Sequence, residues 1–192
     1  MFKPVKLLAV FAVAVGLSGC AVSLPFNNRL SYPSVSEMKS VHIQGEKPKL
    51  SIVWNPADFP QRIDIQGADG FVGGGSRTRV PTGVALSSRI EEAVSTFADV
   101  NPAGQKLTIT VIEARSGFEY SAGMFNITPA IDVGTVSFNA TFNLNGQTWS
   151  QQFTSHKNDP VIGGTSQTGT LESAWDDIAV QVAKNIAQHI NK

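Results

Sequence analysis

The stretch that most constrains the fold is residues 135–155, TVSFNATFNLNGQTWSQQFTS. Val136, Phe138, Ala140, Phe142 and Leu144 alternate with Ser137, Asn139, Thr141 and Asn143, the period of a strand buried on one face. Asn145-Gly146 then supplies two residues that tolerate positive φ, as a type I′ turn requires. A two-residue turn sets Leu144 opposite Gln147, Phe142 opposite Trp149, Ala140 opposite Gln151 and Phe138 opposite Phe153. Two aromatic pairs then share one face, each contributing about 0.2–1 kcal/mol over alanine pairs. The opposite face is Asn, Thr, Ser and Gln, so the sheet is expected to be covered on one side only.

The remaining elements follow from periodicity. Leu50, Ile52 and Trp54 alternate with Ser51 and Val53 until Asn55-Pro56 ends the strand, and Ile63 and Ile65 mark a second short one. Residues 67–83 form a glycine-rich loop that includes Arg77-Thr78-Arg79-Val80-Pro81. Leu86, Ile90, Ala93, Val94 and Phe97 recur at three- and four-residue intervals and predict a helix over 83–99, with Arg89, Glu91, Glu92 and Asp99 off the stripe. Its expected cap is Thr82, or Ser88 with Glu91 one turn later. Leu107, Ile109 and Val111 predict a strand over 106–115, and Glu113 on the apolar phase predicts a bulge or the sheet margin. Residues 118–131 carry no clear pattern. Leu171, Trp175, Ile178, Val182, Ile186 and Ile190 make the stripe of a C-terminal helix, with Glu172, Asp176 and Asp177 near its start, as its dipole favours. The order is β-α-β-β-β-α. The expected fold is an α+β two-layer sandwich, with a mainly antiparallel sheet and two amphipathic helices on one face.

The N-terminus has a different character. Lys3 and Lys6 precede an apolar run of eleven residues, 7–17. At about 1.5 Å per residue this run is too short to span a hydrocarbon core of about 30 Å, and it reads as the h-region of an export signal. Leu17-Ser18-Gly19-Cys20 follows it and resembles the lipobox of bacterial lipoproteins. That resemblance implies cleavage before Cys20, a diacylglyceryl group on its thiol and acylation of the new amino group. One chain anchors only marginally, whereas several together attach a protein persistently. Ala21 in place of aspartate favours the outer membrane by the family's sorting habit. The expected division is a signal peptide at 1–19, a lipidated N-terminus and polar tether at 20–48, and one periplasmic α+β domain at 49–192. As free coil, residues 21–48 would average about 30 Å end to end, a reach that a short strand at Val41–Ile43 docked onto the body would shorten.

The whole chain holds 15 basic and 15 acidic side chains. Removing residues 1–19 takes away Lys3 and Lys6 and leaves a formal charge of −2. Such a balance lacks the basic field that captures nucleic acid by counterion release. Cys20 is the only cysteine, so the domain must hold together without a disulfide of its own.

The signatures of catalysis are not found in the sequence: there is no G-x-S-x-G elbow, no H-E-x-x-H and no Walker lysine. His42, His156 and His189 are far apart and share no ligand spacing. Glu91-Glu92 and Asp176-Asp177 are helix neighbours pointing about 100° apart, so neither pair can flank one bond, and both are expected to be solvated faces. No enzyme and no cofactor is therefore expected. Arg77 and Arg79, with the amides of their loop, are the candidate site for an anionic group such as a lipid phosphate or a cell-wall carboxylate.

The lipobox, the tether, the β-α-β-β-β-α order and the late Asn-Gly hairpin together resemble the YajG-type small outer-membrane lipoproteins. Asn126-Ile127, Ala130-Ile131-Asp132, Ala140-Thr141 and Asn145-Gly146 carry the local similarity. The resemblance implies localisation and architecture and no catalytic residues. Leu107-Thr108-Ile109-Thr110-Val111 and the Trp175 helix also resemble, more weakly, the auxiliary lipoproteins of ABC-type lipid-transport systems. The function expected is a non-enzymatic, lipid-anchored module that holds an envelope protein or the cell wall. The auxiliary role is the alternative, and it requires an apolar groove between helix and sheet.

Overall fold

A computed structural model describes residues 21–23, 25–54, 63–66, 77–121, 131–160 and 168–191. The elements are β1 Ala21–Ser23, α1 Tyr32–Met38, β2 Lys49–Trp54, β3 Ile63–Gln66, β4 Arg77–Val80, α2 Thr82–Ser95, β5 Asp99–Val100, β6 Gln105–Ser121, β7 Ile131–Leu144, β8 Gln147–Pro160 and α3 Gly169–Ile190. The main sheet runs β5-β2-β6-β7-β8, and a small sheet runs β1-β4-β3. Helices α2 and α3 pack against each other and cover one face of the main sheet. The fold is an α+β sandwich, and β2, α2, β6, β7, β8 and α3 are its principal elements in the expected order.

The hairpin forms in the expected register, with Phe142 opposite Trp149 and Phe138 opposite Phe153. Asn145 and Gly146 both have positive φ, at 52° and 87°. The Phe142 and Trp149 rings stack at 5.3 Å, and Phe138 and Phe153 lie 6.3 Å apart. Strand β2 joins β6 in parallel, since a helix-bearing crossover separates them, whereas β6, β7 and β8 are antiparallel. Helix α2 starts and stops earlier than its stripe suggests, and residues 96–98 turn the chain into β5.

Strand β6 runs past the expected Arg115 to Ser121, and the reason is the irregularity at Glu113. Its register against β7 shifts between Val111 and Glu113. The extra residue, Ile112, is 60% exposed. Before it, odd positions Leu107, Ile109 and Val111 are buried; after it, even positions Ala114, Ser116 and Phe118 are. One inserted residue reverses which side chains face the helices, so the simple alternation ends although the strand continues.

The free tether expected over residues 21–48 is corrected. Ala21–Ser23 forms β1, and residues 25–47 run along the outer side of α2 and α3 as a strap containing α1. Leu30 and Met38 join the core, with Phe26, Val35, Val41 and Ile43 packed against it. Polar residues between these apolar ones hide the pattern, because the strap is an irregular chain whose side chains enter the groove one at a time. The strap also explains why α3 is buried beyond its own stripe, at Val180 as well as Ile178 and Val182.

Candidate functional site

At the centre of the contact between strap and helices is Arg89, expected off the apolar stripe yet only 1% exposed. It lies one turn after Ala85 and one before Ala93, and this small-residue row of α2 leaves room for its long side chain. Arg89 Nε donates to Asp176 Oδ1 of α3 at 2.7 Å, Nη1 donates to Ala85 O at 3.3 Å, and Nη2 donates to Asn27 O of the strap at 2.6 Å. The guanidinium lies 5.3 Å from the Trp175 ring. On Asp176, Oδ2 accepts the Ser31 amide at 3.0 Å and the Ser34 hydroxyl at 3.5 Å. Two charges buried this way would be costly alone, and each is matched by the other and by backbone groups.

Further carboxylates grip the strap on either side. Glu172 Oε1 accepts the Asn27 amide at 2.7 Å, and Glu92 Oε2 accepts the Leu30 amide at 2.8 Å. Arg29 reaches the same Glu92 through Nε and Nη2. Burial pushes the Glu92 carboxyl up, but the Arg29 guanidinium and the Leu30 amide outweigh it and hold the group below its ordinary value. Farther along, Lys184 donates to Glu37 at 2.6 Å, and the Gln44 amide donates to Asn191 Oδ1 at 3.0 Å. The expectation that Glu92 and Asp176 belong to solvated faces is thus corrected. Glu91 accepts Trp54 Nε1 at 2.6 Å, and Asp177 accepts Ser155 Oγ at 2.7 Å. Each member of the two acidic pairs holds a separate structural partner.

A second buried network joins the layers: Thr82 Oγ1 and Trp175 Nε1 both lie 2.9 Å from Ser116 Oγ. Thr82 is therefore not the expected cap, and Pro81 precedes the helix in its place. A cleft of about 360 Å³ opens beside the strap, lined by Arg29, Ser34, Glu37, Lys157, Glu172 and Asp177 among others. A shallower cleft of about 620 Å³ lies on the long strands at Arg115, Gly117, Thr135, Ser137, Thr154 and His156. These six are paired across β6, β7 and β8 and belong to the sheet face away from the helices. Among the described residues, no three or more His, Cys, Asp or Glu side chains gather as for a metal ion.

The candidate residues are dispersed. Cys20 lies outside the described residues, as do 67–76 of the glycine loop. Arg77 and Arg79 belong to strand β4 rather than to a loop, and both are exposed, while Thr78 and Val80 between and after them are buried. Residues two apart on a strand share a face, so the two arginines present one surface. His42 and His156 are exposed; His189 is stacked on Trp149 at 3.9 Å, and its Nδ1 lies 2.9 Å from Asn185 O. What the sequence reading missed is Arg89 with Asp176. The available signal was a charged residue next to a large apolar one on each helix: Arg89 before Ile90, and Asp176 after Trp175.

No protein-family model matches the chain, and no curated protein is similar to it in sequence. Among solved structures, the chain is similar to a minor lipoprotein from Acinetobacter baumannii at 11% identity and a TM-score of 0.45, over 74% of this chain and 94% of that one. It is also similar to a DUF330 protein from Xanthomonas campestris at 16% identity and a TM-score of 0.43, over 90% and 95%. A third is the rare lipoprotein B from Shewanella oneidensis, at 11% identity and a TM-score of 0.36, over 74% and 92%. At such identities no residue can be carried from one chain to another.

Proposed function

We propose that this protein is a non-enzymatic binding module of the bacterial envelope, lipidated on Cys20 and held on the periplasmic face of the outer membrane. The observation that carries the reading is Leu17-Ser18-Gly19-Cys20 directly behind a basic start and an eleven-residue apolar run. The architecture is in keeping with a binding module, because the buried Arg89–Asp176 pair is engaged in holding the protein's own strap. The polar sheet face over β6, β7 and β8 is the surface offered to an envelope protein or to cell wall. Its hydroxyls suit a hydrogen-bonding partner better than a lipid tail. Fractionation tests the anchor: wild-type protein should sediment with membranes, and signal-cleaved Cys20→Ala should be soluble. Cys20→Ala that stays membrane-bound after signal cleavage would end the reading.

The auxiliary role in lipid transport is less favoured. It needs an apolar groove between helix and sheet, and the facing side chains Leu86, Ile90, Phe138, Phe142, Ile178 and Val182 are all fully buried.

A further inference from the structure

The small sheet ties the anchor to a particular surface of the domain. Ala21 pairs in parallel with Arg77, Val22 with Thr78 and Ser23 with Arg79. Neighbouring strands lie about 4.8 Å apart, and a single Cα–Cα step of about 3.8 Å separates Ala21 from Cys20. The chain thus enters the domain one peptide beyond the lipidated residue, with none of the slack of a 28-residue coil, and it enters beside Arg77.

The same end of the molecule can be placed along the long strands. Val80 leads through Pro81 into α2, whose first residue, Thr82, lies 2.9 Å from Ser116 of β6. Ser116 pairs with Val136, nine residues from the Asn145-Gly146 turn. At about 3.4 Å per residue, that turn is about 30 Å from the level at which β4 ends. The hairpin turn therefore lies well away from the level at which β4 meets α2, and β6 and β7 continue past that level to Ser121 and Ile131.

We propose that β4 rests on the membrane surface, where Arg77 and Arg79 engage the phosphates of anionic phospholipids. This rests on lipidation of Cys20. The anchor brings β4 to headgroup level, where two exposed guanidiniums on one strand face match an array of anionic headgroups by charge. The arginines then set orientation, holding the Asn145-Gly146 turn away from the bilayer.

The test uses full-length lipidated protein in vesicles of phosphatidylethanolamine and phosphatidylglycerol containing a nickel-chelating lipid. A nitroxide is placed at Gln66→Cys, the Cα partner of Arg77 in β3, or at Thr148→Cys beside the hairpin turn. Relaxation by headgroup nickel should be several-fold greater at 66 than at 148. That contrast should collapse in Arg77→Glu/Arg79→Glu, and also at about 0.5 M salt, where exposed charges are screened within a few ångströms. Flotation with the vesicles should be unchanged throughout. Equal relaxation at both labels in floating protein overturns the docking, and a contrast that survives both charge reversal and salt overturns the role of the arginines. Protein that fails to float refutes the anchor itself, a result separable from either of these.

Discussion

Arg89 donates to Asp176 at 2.7 Å while the two side chains retain only 1% and 8% of their exposure. The pair joins α2 to α3, and through Asn27 and Ser31 it joins both helices to the strap. Residues 25–47 are thereby made part of the domain.

Removing one member of this pair should be far worse than removing both. Arg89→Met leaves a buried carboxylate uncompensated and should cost about 3–5 kcal/mol, and Asp176→Leu should cost a similar amount. The double variant should recover most of that loss in urea unfolding, since apolar groups of similar volume can replace a buried pair at little cost. Its Ser31 amide should still exchange faster than in the wild type, having lost its acceptor. A double variant no more stable than either single one would contradict this account.

The strap should loosen in acid. The folded-state value of Glu92 lies below its ordinary 4.5 because of Arg29 and the Leu30 amide. A depressed carboxyl stabilises the folded state fully above its unfolded value, and that contribution is lost as pH falls through the folded value. Exchange at Leu30, corrected for intrinsic rate, should therefore accelerate below about pH 4.5, and Glu92→Gln should remove the pH dependence. Wild type and Glu92→Gln loosening in parallel would assign the effect to other groups.

Two glycines should respond differently to alanine. A Cβ on Gly134 would meet Thr170 O at 2.9 Å, where α3 begins against β7. The obstacle is backbone, so Gly134→Ala should cost about 1–3 kcal/mol and increase exchange in the first turn of α3. A Cβ on Gly146 meets nothing within 4 Å, and the obstacle there is its φ of 87°. Gly146→Ala should cost about 1–2 kcal/mol through the turn alone, leaving exchange in α3 unchanged.

How much of this was legible in the sequence depended on how local the cause was. Asn145-Gly146 and its flanking alternation specify the hairpin and its register through contacts between near neighbours. Glu113 out of phase pointed to the bulge for the same reason. The strap was not legible, because the partners of Asn27, Ser31 and Gln44 lie 145, 145 and 147 residues away. Backbone amides make many of these contacts, and a backbone amide has no sequence signature. Arg89 was misplaced because charge argues for solvent unless the opposing carboxylate is known. The strand that carries Arg77 and Arg79 was not legible, since the four residues Arg-Thr-Arg-Val pair with Ala21–Ser23 and Ile63–Gln66, the first of them more than fifty residues away.

Lipidation of Cys20 can be read from the intact mass of the mature protein purified from membranes in detergent. A chain beginning at Cys20 and carrying a diacylglyceryl group with an acylated amino terminus is the predicted result. A chain that retains Met1, or one whose Cys20 thiol is unmodified, would contradict it.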